Sequence, residues 1–326
     1  MVYFYIIAKY NIQRKVLYMA NKITFIDLFA GIGGFHLAFH NLGAECVMAS
    51  EINKAARETY QHNFEKISPE LFKNDLFKGD IMLIQPEDIP DFDIICGGFP
   101  CQPFSQIGLK KGFADERDNR GNMFFEILRL IKAKKPKAFF LENVRNLEKH
   151  DEGRTFAVIK NKLEELGYSF LYQIVRASDY GLPQHRPRLY MVGFRDEKTS
   201  ESRFKFPPKR KLMYTISDVF KGHCDKDIGY TLRCGGKGSK YGDKRNYEFY
   251  MVDNEIKRIG IEEGKALQGF PDWFEFPVSK ANAMKQLGNS VAVAAIQAVA
   301  DNMIRYINGE DLITDEVDLF DGKPKK

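Results

Sequence analysis

Residues 23–43 read ITFIDLFAGIGGFHLAFHNLG, and the order of their parts decides how the rest of the chain is read. Ile23 to Phe29 is a short apolar run of β type. The glycine loop from Phe29 to Gly34 stops it, and GFHLAFHNLG then carries apolar residues at helical spacing. A strand that passes through a glycine loop into a helix lets a ligand approach the backbone and presents free N–H groups at the helix start. The loop is neither a full GxGxxG nor a Walker A, so alone it specifies no ligand.

Outward from this unit the alternation continues. ECVMASE, FDIICGG and KAFFLENV read as strands, with NKAARETYQHNF, NMFFEILRLIKAKK and RTFAVIKNKLEELG as the helices around them. This is the signature of an α/β fold, a mostly parallel sheet with crossover helices on its faces. YSFLYQIVRA and RLYMVGF, separated by SDYGLPQHRP, add strands at one side. From about Asp196 the rhythm breaks. Residues 196–260 carry Pro207-Pro208, the basic run KRK at 209–211 and the glycine-rich TLRCGGKGSKYGD, and read as a separate, loop-rich small domain. The divisions expected are a main domain over 24–195, the small domain over 196–260 and a segment over 261–308 that returns to the main domain. That segment is helical after Asn289. A tail follows over 309–326, and residues 1–23 read as an extension, with Met19 an alternative start.

With 326 residues, 44% of them hydrophobic, the chain has enough apolar material for one large domain or one large and one small. Its five cysteines (Cys46, Cys96, Cys101, Cys224, Cys234) form no CxxC pair, which suggests neither a disulfide framework nor a cysteine-rich zinc site and implies a reducing, cytoplasmic setting. The apolar patch at the N-terminus is far shorter than the ~20 residues a membrane span needs. The net charge is +5, but its distribution says more: Arg203 to Arg245 holds twelve Lys/Arg against four Asp/Glu. A basic surface for phosphate contacts and a solvated lysine-bearing face explain that segment equally well on charge alone.

Ligands of open α/β sheets sit beyond the carboxyl ends of the strands. Glu51 ends the second strand, where an acid commonly binds ribose hydroxyls, and Asp80 in GDI is placed to meet an adenine amino group. Either acid alone reads as a cap or loop residue; with the glycine loop they favour an adenosine cofactor. Cys101 sits at the mouth of the strand FDIIC, on the Gly/Pro loop GGFPCQPFS. A free cysteine is most often a small buried hydrophobe, but a thiol on such a loop tilts towards chemistry. Glu142, directly after the apolar run AFFL, is expected to be desolvated with a raised pKa; pairing with a lysine is the alternative. In QHRPR, Arg186 and Arg188 alternate and face one way, with His185 opposite and without partners for a metal. Arg233 and Lys237 flank Gly235-Gly236. A nucleic-acid partner would be expected to take base contacts from about Thr231 to Lys240 and phosphate contacts from about Lys240 to Arg245, including Lys244.

FIDLFAGIGGF, GGFPCQPFS, ENV, QHRPR and GNSVAV, in that order, resemble the motif series of the DNA (cytosine-5)-methyltransferases, especially the compact bacterial restriction-modification enzymes. The likeness runs from about Thr24 to Ile307. It implies a Rossmann-like, S-adenosylmethionine-dependent methyltransferase fold, with 24–195 as catalytic and cofactor-binding domain and 196–260 as target recognition domain. The resemblance implies that S-adenosyl-L-methionine is held by Phe29, Ile32, Gly34, Glu51, Ile52, Asp80, Ile81, Gly98, Pro100, Asn289, Ser290 and Val291, and leaves as S-adenosyl-L-homocysteine, with no metal. It further implies Cys101 as nucleophile at cytosine carbon-6, Glu142 at ring nitrogen 3, Arg188 on the base carbonyl and Arg186 near the developing charge. Ser105, Arg120 and Gln184 join Arg233, Lys237, Lys240, Lys244 and Arg245 against double-stranded DNA. The expected partners are DNA and a functionally linked but unbound restriction endonuclease; the enzyme is a monomer that meets no membrane.

In two places the chain departs from the pattern. DERDNR at 115–120 is longer than in short members, which leaves the closing-loop arginine open between Arg117 and Arg120, and Gln184-His185 replaces a commoner Gln-Lys or Gln-Arg pair. The tRNA-methylating branch resembles this chain but carries a Cys-Phe-Thr triplet that is absent here. A catalytically silent DNA-binding homologue is the third reading, against which the intact Cys101, Glu142 and Arg188 stand.

Overall fold

The computed structural model describes residues 22–100, 123–196, 199–234, 240–243 and 245–314. Cys101, Ser105, Arg117, Arg120, Lys237 and Lys244 lie outside the described residues. Seven strands among those described form one sheet: β1 (Thr24–Leu28), β2 (Glu45–Ser50), β3 (Phe77–Lys78), β4 (Ile94–Gly97), β5 (Ala138–Val144), β6 (Leu171–Arg176) and β7 (Pro187–Phe194). Their order is β3-β2-β1-β4-β5-β7-β6. Strands β1 to β5 pair in parallel, whereas β7 runs antiparallel to both β5 and β6. The two late strands therefore lie at one side, as expected, but the chain overshoots to the edge with β6 and returns to place β7 against β5.

Among the described residues the α-helices of eight or more residues are α1 (Gly34–Asn41), α2 (Lys54–Phe64), α3 (Met123–Lys134), α4 (Arg154–Glu165), α5 (Ile261–Gln268), α6 (Lys280–Asn289) and α7 (Val293–Asn308). Local chemistry sets their ends. The Asn53 side chain accepts the Ala56 N–H at 3.0 Å to cap α2, and Gly309 in the left-handed region (φ 72°) stops α7. Successive strand residues point to opposite faces of the sheet. Phe25, Ile94 and Phe140 pack under α1, α2 and α7, while Ile26, Ile95 and Phe139 pack under α3 and α4. Burial on both faces is why these strands read as continuous apolar runs.

The described residues of 196–260 contain little regular structure: two five-residue helices and the hairpin of β8 (Phe249–Val252) and β9 (Glu255–Arg258). Their apolar side chains Phe204, Ile216, Leu232 and Tyr250 belong to the same buried cluster as α1 and α7. The returning segment is helical before Asn289 as well as after it, and the chain opens between α6 and α7 at Ser290 to Ala292. That opening faces the carboxyl ends of the strands.

Candidate active site

Strand order reverses at β1, which has β2 on one side and β4 on the other. The crevice expected at such a switch point is a cleft of about 1010 Å³. Its first wall is the glycine loop. Phe29 has φ 55°, a left-handed conformation uncommon outside glycine, and Gly31 follows with φ 55°. The Gly31 N–H donates to Glu51 Oε2 at 2.9 Å, and the Asn53 N–H donates to Glu51 Oε1 at 2.7 Å. Glu51 thus braces the loop while lining the cleft. Ile52, 69% exposed, offers a bare apolar surface beside it. Arg57, which sequence reading missed, donates to the carbonyls of Glu51, Phe77 and Lys78 and lies 4.2 Å over the Phe77 ring, joining the ends of β2 and β3.

The second wall comes from β4, β5 and β7. Glu142 is 8% exposed in β5, and Arg188 of β7 places Nε 3.1 Å from Glu142 Oε1. Burial pushes the Glu142 pKa up, and the Arg188 and then Arg186 charges moderate that rise. Gly98 permits the close approach of this carboxylate, since a Cβ there would lie 3.3 Å from Glu142 Oε2. Asn143 also went unassigned by sequence. Its amide donates to the Phe99 carbonyl at 2.9 Å and accepts the Val144 N–H at 2.8 Å, which fixes the loop that leads to Cys101. The only sequence signal for it was its place in ENV.

Phe29, Ile32, Glu51, Ile52, Gly98, Pro100, Asn289 and Ser290 of the expected cofactor set all line the cleft. The other four do not line it. Gly34 and Val291 pack on each other: a Cβ on Gly34 would sit 2.5 Å from Val291 Cγ2. Asp80 caps the short turn at Ile81–Leu83, accepting the Met82 N–H at 3.0 Å, and Ile81 is buried with its carbonyl bonded to Arg129.

Of the expected catalytic set, Glu142, Arg186 and Arg188 meet in the cleft. Arg186, however, spends its guanidinium on backbone carbonyls: Leu232 at 2.9 Å, Gly288 at 3.2 Å and Ser290. Its Nε has no partner, and burial with the adjacent Arg188 charge lowers its pKa to about 9. Its visible work is architectural. Gln184 requires a correction as a DNA contact, because it is fully buried with both ends of its amide engaged. Arg233 lines the cleft, exposed, with Cζ 5.9 Å from the centroid of the Tyr247 ring. Lys240 is exposed beyond the cleft, and Arg245 is paired with Asp243 at 2.8 Å. That exposed pair is weak enough to be exchanged for a phosphate. Among the described residues no helix is long and apolar enough to cross a membrane, and no group of three or more His, Cys, Asp or Glu is placed to hold a metal.

Sheet order, switch-point cleft and glycine wall define a Rossmann-like enzyme of the S-adenosylmethionine-dependent methyltransferase architecture. A family model for C-5 cytosine-specific DNA methylases matches residues 23–233 and 231–305, and the chain belongs to that family of DNA cytosine-5 methyltransferases. It is 44% identical over 322 residues to the type II methyltransferase M.SsoII of Shigella sonnei, covering 88% of this chain and 81% of that one. With the type II methyltransferase M.NlaX of Neisseria lactamica it shares 40% identity over 85% of this chain and 95% of the other. In fold it is similar to the crystal structure of Spodoptera frugiperda DNMT2, with a TM-score of 0.64 at 19% identity, over 87% of this chain and 100% of that one.

Proposed function

We propose that this chain transfers a methyl group from S-adenosyl-L-methionine to carbon-5 of a cytosine flipped out of a short, specific duplex DNA site, through a covalent adduct with Cys101. The cleft fits the donor by its chemistry. Exposed Ile52 suits a flat base, Glu51 suits ribose hydroxyls, and the opened glycine loop and Ser290 leave room at the far end. When bound, the donor supplies an electrophilic methyl group.

Cytosine carbon-5 is a poor nucleophile until a thiolate adds at carbon-6. In the proposed sequence the Cys101 sulfur bonds to carbon-6 and the ring electrons are drawn towards nitrogen 3, where the raised-pKa carboxyl of Glu142 gives a proton or strong hydrogen bond. Arg188, held by Glu142, orients on the base carbonyl and stabilises charge gathering there. After carbon-5 is methylated, it gives up its proton to a base, the carbon-6 to sulfur bond breaks and the thiolate leaves. The target atom is out of reach inside a stacked duplex, so the base must be extruded. Arg233 reads a base edge at the rim, and the basic segment 203–245 carries phosphate contacts. The cellular role that follows is protection of host DNA in a cytoplasmic restriction-modification system.

One observation carries this reading: the pair of buried Glu142 and half-buried Arg188 shares a cleft with the glycine loop and with Gly98 to Pro100, the residues that lead directly into Cys101. Base-resolution methylation mapping of DNA from a host expressing the chain tests it. The expected result is 5-methylcytosine at one short site for the wild type and none for Cys101→Ser. Methylation at that site by Cys101→Ser overturns the adduct mechanism.

A further inference from the structure

Three stretches far apart in sequence meet behind the cleft. Gln184 accepts the Leu232 N–H at 2.8 Å and donates to the Leu267 carbonyl at 2.8 Å. Arg186, two residues on and 2% exposed, donates to the carbonyl of the same Leu232, and also to the carbonyls on either side of Asn289, those of Gly288 and Ser290. Both backbone polar groups of Leu232 are therefore held from QHRPR, and the guanidinium that holds one of them also holds the cofactor wall. The contact is close enough to exclude a side chain: a Cβ on Gly288 would lie 2.3 Å from the Arg233 carbonyl carbon.

A buried guanidinium is costly unless its hydrogen bonds are made, so neither wall can move away from Arg186 without leaving a buried cation under-satisfied. Arg233 follows Leu232 directly, and Ser290 faces the cleft. We propose that Arg186, with Gln184, is a positioning residue that ties the recognition loop at Leu232 to the cofactor wall at Ser290, so that filling the cleft and reading the DNA sequence favour each other. This rests on the reading of Arg233 and of the cleft given under Proposed function.

The first measurement needs only the wild type: affinity for S-adenosylhomocysteine with and without a duplex carrying the mapped site, and the reverse. Linkage requires the same factor in both directions, expected here to be about tenfold. Arg186→Lys keeps the charge but loses the planar fork that spans both walls. It is expected to bring that factor to within about twofold of one, raise the KM for S-adenosylmethionine, and blur the preference for the cognate site over single-mismatch sites. Gln184→Met removes the Leu232 and Leu267 bonds and the one to Gln268 Oε1 at 3.2 Å but keeps the Arg186 bonds to Gly288 and Ser290, so discrimination should fall by a larger factor than that KM rises. A merely structural role would lower the melting temperature of both variants and leave linkage and discrimination as in the wild type, which overturns the proposal. A wild-type linkage factor of one overturns it too, even if Arg186→Lys fails to fold. Absence of any DNA methylation by the wild type would instead bring down the functional reading, whereas site-specific methylation without linkage brings down the coupling alone.

Discussion

Asp27→Asn is expected to flatten the dependence of stability on pH. Asp27 lies in β1 directly beneath the glycine loop, with no exposed surface. Its Oδ2 accepts the His36 N–H at 3.3 Å, while Oδ1 has no partner. Burial, opposed by that hydrogen bond and reinforced by the Glu51 charge, raises its pKa to about 8. In the unfolded chain the group titrates near 3.9, so at neutral pH folding requires it to take up a proton. The sign follows. The protonated form's contribution is fully present below the unfolded pKa and is lost as pH rises through the folded one, at roughly 1.4 kcal/mol per pH unit in between. From about pH 5.5 to about pH 7.5 the wild type should lose roughly 2.5 kcal/mol through this group. The asparagine variant starts with a cost of about 1–3 kcal/mol, because its amide nitrogen inherits the unpartnered position, but that cost does not vary with pH. Urea unfolding of both proteins across that range, followed by circular dichroism, reads the difference. If the two stability curves run parallel between these pH values, Asp27 is ionised in the folded protein and the account of its burial is wrong.

Cys101→Ser should abolish turnover while leaving affinity for S-adenosylhomocysteine near wild type, because an alcohol at neutral pH is a far weaker nucleophile than a thiolate; duplex carrying 5-fluorocytosine should trap the wild type covalently and leave the variant free on a denaturing gel. Glu142→Gln should lower kcat by about 10²–10⁴-fold. In the wild type the rate should fall as pH rises through the raised pKa of Glu142, since the proton-bearing form is the active one, and single-turnover rates across pH should lack that alkaline fall in the variant. Gly288→Ala forces a Cβ to within 2.4 Å of the Arg233–Cys234 backbone and should cost ~1–3 kcal/mol in a urea melt. Unlike a remote destabilising change, it should also weaken preference for the mapped site.

How much of this was legible in the chain depended on whether a residue's partner was near in sequence. The strands and crossover helices follow from local periodicity, and the glycine loop, Glu51 and Glu142 follow from their places at strand ends. Asp27 carried a local signal that went unread: an acid on the Phe25 face of an apolar strand has nowhere to go but inside. The pairing of Arg245 with Asp243, two residues away, was legible for the same kind of reason. Gln184 is different in kind. It was expected on DNA through the family resemblance, and the partners its amide has, Leu232, Leu267 and Gln268, lie 48, 83 and 84 residues later. Arg186 repeats the lesson, since its three carbonyls come from positions 46, 102 and 104 residues on. Arg186 lies in the cleft lining and Gln184 in the packed wall behind it, and a motif does not say whether a polar side chain faces the ligand or that wall. That is decided by which main-chain groups the fold would otherwise bury without partners, and here those are the carbonyls and amides where the segment at Leu232 and the break between α6 and α7 meet. Residues that hold a loop in register from behind are therefore the ones most easily mistaken for residues that touch a ligand.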